Sequence, residues 1–128
     1  LEGHVIDEAN RVWNGLDEVL AKHGYVRNGN YYAAVSPNED TLAFFCHFGV
    51  TCVMLSHLLG ISPMILWHGF CAAPTSVTSL ITEERRKGVA LFRMNAFSDT
   101  AHLFANHEEP AFAARFCETF ANQEQRHD

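Results

Sequence analysis

Five apolar residues in a row, Leu42-Ala43-Phe44-Phe45-Cys46, pass through His47 and Phe48 into a second apolar stretch that runs from Gly49 to Leu59. The first run is short, continuously apolar and preceded by the turn-rich Ser36-Pro37-Asn38-Glu39-Asp40. That pattern predicts a strand buried on both faces, central in its sheet. The second run, apolar on nearly all sides through Val50, Val53, Met54, Leu55 and Leu58 and stopped by Gly60, predicts a buried helix. A doubly covered strand leading straight into a helix points to an α/β fold.

The flanking sequence supplies the other elements. From Val5, the positions Ile6, Ala9, Val12, Trp13, Leu16, Val19 and Leu20 recur at three-and-four spacing, with Asp7, Glu8, Arg11, Asp17 and Glu18 opposite, which predicts an amphipathic helix ended by Gly24. After Asn28-Gly29-Asn30, the run Tyr31 to Val35 favours a strand. Pro63 is placed to open a short helix or turn. Ser76 to Thr82 and Val89 to Met94 read as a hairpin whose solvated tip is Glu83-Glu84-Arg85-Arg86-Lys87-Gly88. Pro110 opens a last helix, with Phe112, Phe116 and Phe120 one turn apart as a core stripe.

Composition narrows the function. With 128 residues, 48% of them hydrophobic, the chain holds one compact core, and 1–128 is expected to be a single domain. A net charge of -6 argues against a nucleic-acid surface, so any phosphate must be held locally. The cysteines at 46, 52, 71 and 117 form no CxxC pair and no metal-ligand spacing, which fits reduced thiols and a cytoplasmic location. No apolar stretch is long enough to span a bilayer, and the N-terminus has no leader pattern. The opening without Met, almost directly in a helical pattern, is what a fragment boundary would give.

The chemistry concentrates where the predicted strand meets the predicted helix. Ligands of open α/β sheets collect at the carboxyl ends of strands, and the free N–H groups of a following helix favour an anion. His47 sits at that junction. A protonated imidazole there would add a charged donor to phosphoryl oxygens, and Gly49 would let the backbone approach closely. The alternative is a capping or hydrogen-bonded histidine. Cys46 beside it points to the opposite strand face and is expected to be buried and structural.

Cys46-His47-Phe48-Gly49, followed at once by a helix, resembles the late Ser-His-Gly-Gly strand end of the histidine phosphatase (phosphoglycerate mutase-like) superfamily. The similarity continues in order through Leu58-Leu59-Gly60, the Trp67 segment, Ser76-Val77-Thr78, Arg93-Met94 and Asp99-Thr100-Ala101-His102-Leu103, which looks like Asp-x-x-His-Leu. The resemblance implies part of a three-layer α/β/α sandwich with a central mixed sheet, the chain being the C-terminal portion of that domain. It also implies phosphomonoester hydrolysis through a phosphohistidine, with His47 as the second, phosphate-stabilising histidine and the backbone N–H groups of Phe48 and Gly49 facing phosphate. That scheme needs no metal and no cofactor, and its partner is a small phosphorylated substrate.

The sequence departs from the family in having no early Arg-His-Gly to supply the nucleophile, and in Phe48, which replaces the first glycine. Arg126-His127-Asp128 is the nearest string and reads as a solvated tail. Among the other histidines, His57 is expected to be a satisfied core residue and His4 and His23 to be exposed near helix ends, while His68 and His102, in loop-like segments, are candidates for a pocket rim, with a simple surface or hydrogen-bonding role the favoured alternative. No HxH or HExxH pattern suggests a metal. The competing function is a non-catalytic binding module of the same fold that supplies missing sheet partners by self-association into a homo-oligomer.

Overall fold

The computed structural model describes residues 2–111, 119–122 and 124. They run as α1 (Glu2–Lys22), β1 (Tyr25–Asn28), β2 (Tyr31–Ala34), α2 (Phe48–Leu59), α3 (Pro63–Gly69), β3 (Val77–Arg86), β4 (Val89–Asp99) and α4 (Ala101–Ala105). The four strands form one sheet in the order β1-β2-β4-β3, and β2 pairs antiparallel with both β1 and β4. The fold is thus mixed α/β on an antiparallel sheet. The chain divides into two compact units, residues 1–69 with 81–93, and residues 70–80 with 94–128.

The first unit contains the core. Leu16 and Leu20 of α1 close on Tyr25, Tyr32 and Ala90, with Met54 and Leu58 of α2 packed against them. Because side chains alternate along a strand, Tyr25, Arg27, Tyr32, Ala34, Ala90 and Phe92 share the face toward the helices. Val26 (41% exposed) and Leu91 (50% exposed) occupy the other face. The β1–β2 hairpin turns at Gly29, whose φ of 59° is open to glycine without a Cβ penalty. Tyr25 to Asn28, a strand too short to stand out in the sequence, is held to β2 by the register Tyr25↔Ala34 and Asn28↔Tyr31.

A polar chain crosses this core. Tyr32 Oη donates to Asp17 Oδ1 at 2.7 Å, and His57 Nε2 lies 2.9 Å from Asp17 Oδ2. The His57 ring stacks on Trp13 at 5.3 Å, and Trp13 Nε1 donates to the Val53 carbonyl at 2.8 Å. Arg27 closes the chain, its guanidinium 5.0 Å from the centre of the Tyr32 ring and donating to the His57 carbonyl. His57 is therefore the satisfied core histidine expected. Asp17 is not on the solvated side of α1 as expected, because positions 13, 16, 17 and 20 follow the same three-and-four spacing and form one stripe.

Two further expectations change. Leu42 to Cys46 belongs to no helix or strand, and Phe45 is 98% exposed. Its apolar run has the composition of a central strand, but no described strand pairs with it. The segment Glu83–Arg86 is part of β3 rather than a hairpin tip, and the chain turns only at Lys87–Gly88. Arg85 and Arg93 both pair with Glu83 and hold its carboxyl below the usual range. Those exposed charges suit an edge strand, which they protect from further pairing.

In the second unit, Phe70 meets Phe97 edge-on at 5.4 Å, and Ser98 ties the unit together by accepting from Ala73 N at 3.0 Å. Ser98 N donates in turn to Thr78 Oγ1. The expected helix from Pro110 with Phe112 and Phe116, Cys117 and the tail Arg126-His127-Asp128 lie outside the described residues; Phe120 is described and is exposed.

Burial first, and then the Asp17 hydrogen bond and charge, push the Tyr32 hydroxyl well above its ordinary pKa, with Arg27 opposing. The folded state therefore binds a proton that the unfolded chain releases near pH ~10, so this contribution is complete below that pH and falls as pH rises further. Urea unfolding followed from pH 8 to 11 should show stability falling at the alkaline end, and Tyr32→Phe should flatten that fall. Identical slopes in both proteins would refute the assignment.

Candidate functional site

His47 follows the apolar segment, has the extended dihedrals φ -92° and ψ 161°, and is the N-cap of α2. Its carbonyl receives the first helical hydrogen bond, from Thr51 N at 3.0 Å, and a second from Thr51 Oγ1 at 3.1 Å. Its imidazole makes no capping bond, is exposed, and has no hydrogen-bonding or ionic partner among the described residues. The cap is thus made by the backbone, which excludes a side-chain capping role for the ring and leaves it toward solvent.

Behind His47, the N–H groups of Phe48, Gly49 and Val50 precede the first intrahelical bond, as at any helix start. The first turn holds no acidic side chain. The twelve-residue length gives α2 a developed dipole whose positive end lies here. An exposed histidine and three free donors thus share one helix end, an arrangement that favours an anion.

The orientation of that end is fixed by α3. Trp67 contacts Phe48 with ring centroids 6.4 Å apart, and it lies over Gly49 so closely that a Cβ there would come within 2.6 Å of Cζ3 and 2.8 Å of Cη2. Gly49 is therefore required for the indole, a packing role distinct from the backbone approach that its position in the sequence suggests. At the other end of α2, Gly60 adopts φ 69° and its N–H caps the Ser56 carbonyl. The Cys52 thiol, buried in the middle of the helix, is pushed up in pKa by that burial.

The structure brings His47, Phe48 and Gly49 together, and places α3 with His68 beside them; His68 itself is exposed in the last turn of α3. His102 belongs to the second unit and is exposed on α4. Both therefore stand on short helices, not in the loop-like segments expected, since Pro63 opens one and Asp99 Oδ1 receives Ala101 N at the start of the other. Cys46 is also a correction: it is exposed and free, its Sγ 3.3 Å from Thr51 Oγ1, because no sheet covers it. His23 sits 3.0 Å from Asp40.

Two clefts lie elsewhere. One of about 360 Å³ borders Arg27, Asn30, Leu59 and Gly60, at the end of α2 away from His47; another of about 210 Å³ borders Cys71, Ser98 and Thr100 in the second unit. Among the described residues no three His, Cys, Asp or Glu side chains converge as metal ligands, and no helix is long and apolar enough to cross a membrane. The chain matches no protein-family model, no curated protein and no solved structure.

Gly49→Ala drives a methyl group into Trp67 and should cost about 1–3 kcal/mol of unfolding free energy. In a Trp67→Ala background the same change should be neutral or stabilising, since alanine is the better helix former. Chemical denaturation of the four proteins checks this, and an equal loss in both backgrounds would contradict the packing role.

Proposed function

We propose that this chain handles phosphate, as the C-terminal portion of a histidine phosphatase domain that hydrolyses phosphomonoesters, with His47 as its second phosphate-binding histidine. The observation that carries the reading is the unpartnered, exposed imidazole of His47 at the free N-terminus of α2. The collinear motifs from Cys46-His47-Phe48-Gly49 to Asp99-Thr100-Ala101-His102-Leu103 support the resemblance to that family.

The chemistry follows from charge. A phosphoryl group presents oxygens that gain negative charge on transfer, and the His47 ring, when protonated, supplies a charged donor to one of them. The N–H groups of Phe48, Gly49 and Val50 supply fixed donors that cost little to orient, because Trp67 already holds that end of the helix. The substrate is a small phosphorylated molecule. The nucleophilic histidine of the family's early Arg-His-Gly has no counterpart in these residues, so binding without turnover is what this chain alone should give. On this reading the domain is a cytoplasmic three-layer sandwich with a central mixed sheet. The uncovered face at Val26 and Leu91 and the open apolar run at Leu42 to Cys46 are consistent with layers and strands still to be added.

A second reading, a non-catalytic module that self-associates, is favoured by one observation, the mostly exposed run Thr41 to Cys46, which makes no backbone–backbone hydrogen bond among the described residues.

Titration of the labelled protein with inorganic phosphate, against a chloride control of equal ionic strength, separates phosphate handling from simple capping. Amide resonances of Phe48, Gly49 and Val50 should move, and His47→Ala should weaken binding by about ten-fold or more, the worth of a hydrogen bond to a charged group. Unmoved amides, or unchanged affinity in the variant, would overturn the proposal.

A further inference from the structure

At the end of α2 away from His47, the structure holds a cation in place without giving it an anion. Arg27 is half-buried on the helix-facing side of β1, its guanidinium 5.0 Å from the centre of the Tyr32 ring and its Nη1 donating to the His57 carbonyl at 3.2 Å. Arg11, Arg85 and Arg93 each pair with a glutamate, whereas Arg27 pairs with no carboxylate among the described residues. A guanidinium presents its N–H groups in a planar fork, and one carbonyl leaves most of that fork unused. Because the ring and the carbonyl already fix the group, little freedom is lost when a ligand meets the remaining donors.

The cleft of about 360 Å³ gives those donors a place to act. Arg27 and Asn30 line it from the β1–β2 hairpin, Leu58, Leu59 and Gly60 from the end of α2, and Phe92 from β4. Phe92 meets Tyr32 edge-on at 5.3 Å and is only partly buried, as are Leu58 and Leu59, so each keeps apolar surface to offer. Gly60 contributes bare backbone with open space before it, since a Cβ there would meet nothing within 4 Å. Apolar walls with a few polar groups are the usual make-up of a small-molecule site. The charge the cleft accepts is limited by α2. The Ser56 carbonyl is taken by Gly60 N and Ile61 N and the His57 carbonyl by Arg27, but those of Leu58 and Leu59 accept from no described group. The negative end of the helix dipole therefore lies at the cleft and disfavours a doubly charged anion such as phosphate. A single carboxylate carries less charge and matches the guanidinium fork in shape.

We infer that this cleft binds a small carboxylate with an apolar body, the carboxylate on the Arg27 guanidinium beside the Asn30 amide and the body against Leu58, Leu59 and Phe92. The inference does not rest on the phosphate reading, and its experiment reads resonances at the opposite end of α2.

Phenylacetate and its neutral counterpart phenylacetamide, titrated separately into the labelled full chain at constant ionic strength, test it. Phenylacetate should move the amide resonances of Arg27, Asn30 and Gly60 to saturation and bind about ten-fold more tightly than phenylacetamide, the worth of a hydrogen bond to a charged group. Arg27→Gln, which keeps a donor for the His57 carbonyl but no charge, should bind the two alike. Asn30→Asp, at an exposed turn position, sets a carboxylate beside the guanidinium and should weaken phenylacetate several-fold while leaving phenylacetamide unchanged, a test that stands even if Arg27→Gln does not fold. Inorganic phosphate should leave these resonances in place. Amides that do not move, equal affinity for the acid and the amide, a preference for the acid that survives in a folded Arg27→Gln protein or is untouched by Asn30→Asp, or phosphate saturating the same resonances would each overturn the proposal.

Discussion

The carboxylate of Asp17 accepts from Tyr32 through one oxygen and meets His57 through the other, and by doing so joins α1 to the sheet and to α2. Each end of this link is packed as well as bonded: Tyr32 is 1% exposed and meets Phe92 edge-on, while His57 stacks on Trp13. A half-buried carboxylate is costly unless its lone pairs are filled, so the same groups that satisfy Asp17 also dictate where the two partners must stand. Arg27 extends the constraint to β1 through the Tyr32 ring and the His57 carbonyl. Leu16 and Leu20 contribute the larger hydrophobic share, but apolar contact alone would tolerate sliding of α2 along α1; the directed bonds do not.

The position of α2 decides what His47 can do. Its C-terminal half is held by His57 and the Gly60 cap, and its N-terminal end by Trp67 over Gly49. Between them the helix is fixed at both ends, and its free donors are presented with the exposed imidazole. The phosphate proposal depends on this rigidity, since fixed donors lose little freedom on binding an anion. It also explains why Gly49 matters beyond the N–H it offers: any side chain there would displace the indole and with it the helix end.

Helices were the most legible part of the sequence. The amphipathic run before Gly24, the apolar run ended by Gly60 and the helix opened by Pro63 all appear, because periodicity and end signals are local. The hairpin of β3 with β4 was legible, but the charges of Glu83 to Arg86 concealed the extent of β3, since a strand at a sheet edge can be polar where a central one cannot, and the β1–β2 hairpin was not read because β1 has only four residues. The run Leu42 to Cys46 misleads in the opposite sense. Its composition specifies burial, yet a strand is made by its neighbours, and none of the described strands lies beside it. At the site, His47, Phe48 and Gly49 were found by their place before an apolar helix. Asp17 was missed although its spacing from Trp13 and Leu20 set it on the buried stripe, because a charged residue was assigned to solvent by type.

If the Asp17 link positions α2, its two groups must act as one unit. A double-mutant cycle on Asp17→Ala and His57→Ala, read by urea unfolding, measures this directly, and a coupling of about 1–3 kcal/mol is expected. Strictly additive losses would mean that the carboxylate and the imidazole stand side by side without holding the helix, and would contradict the link.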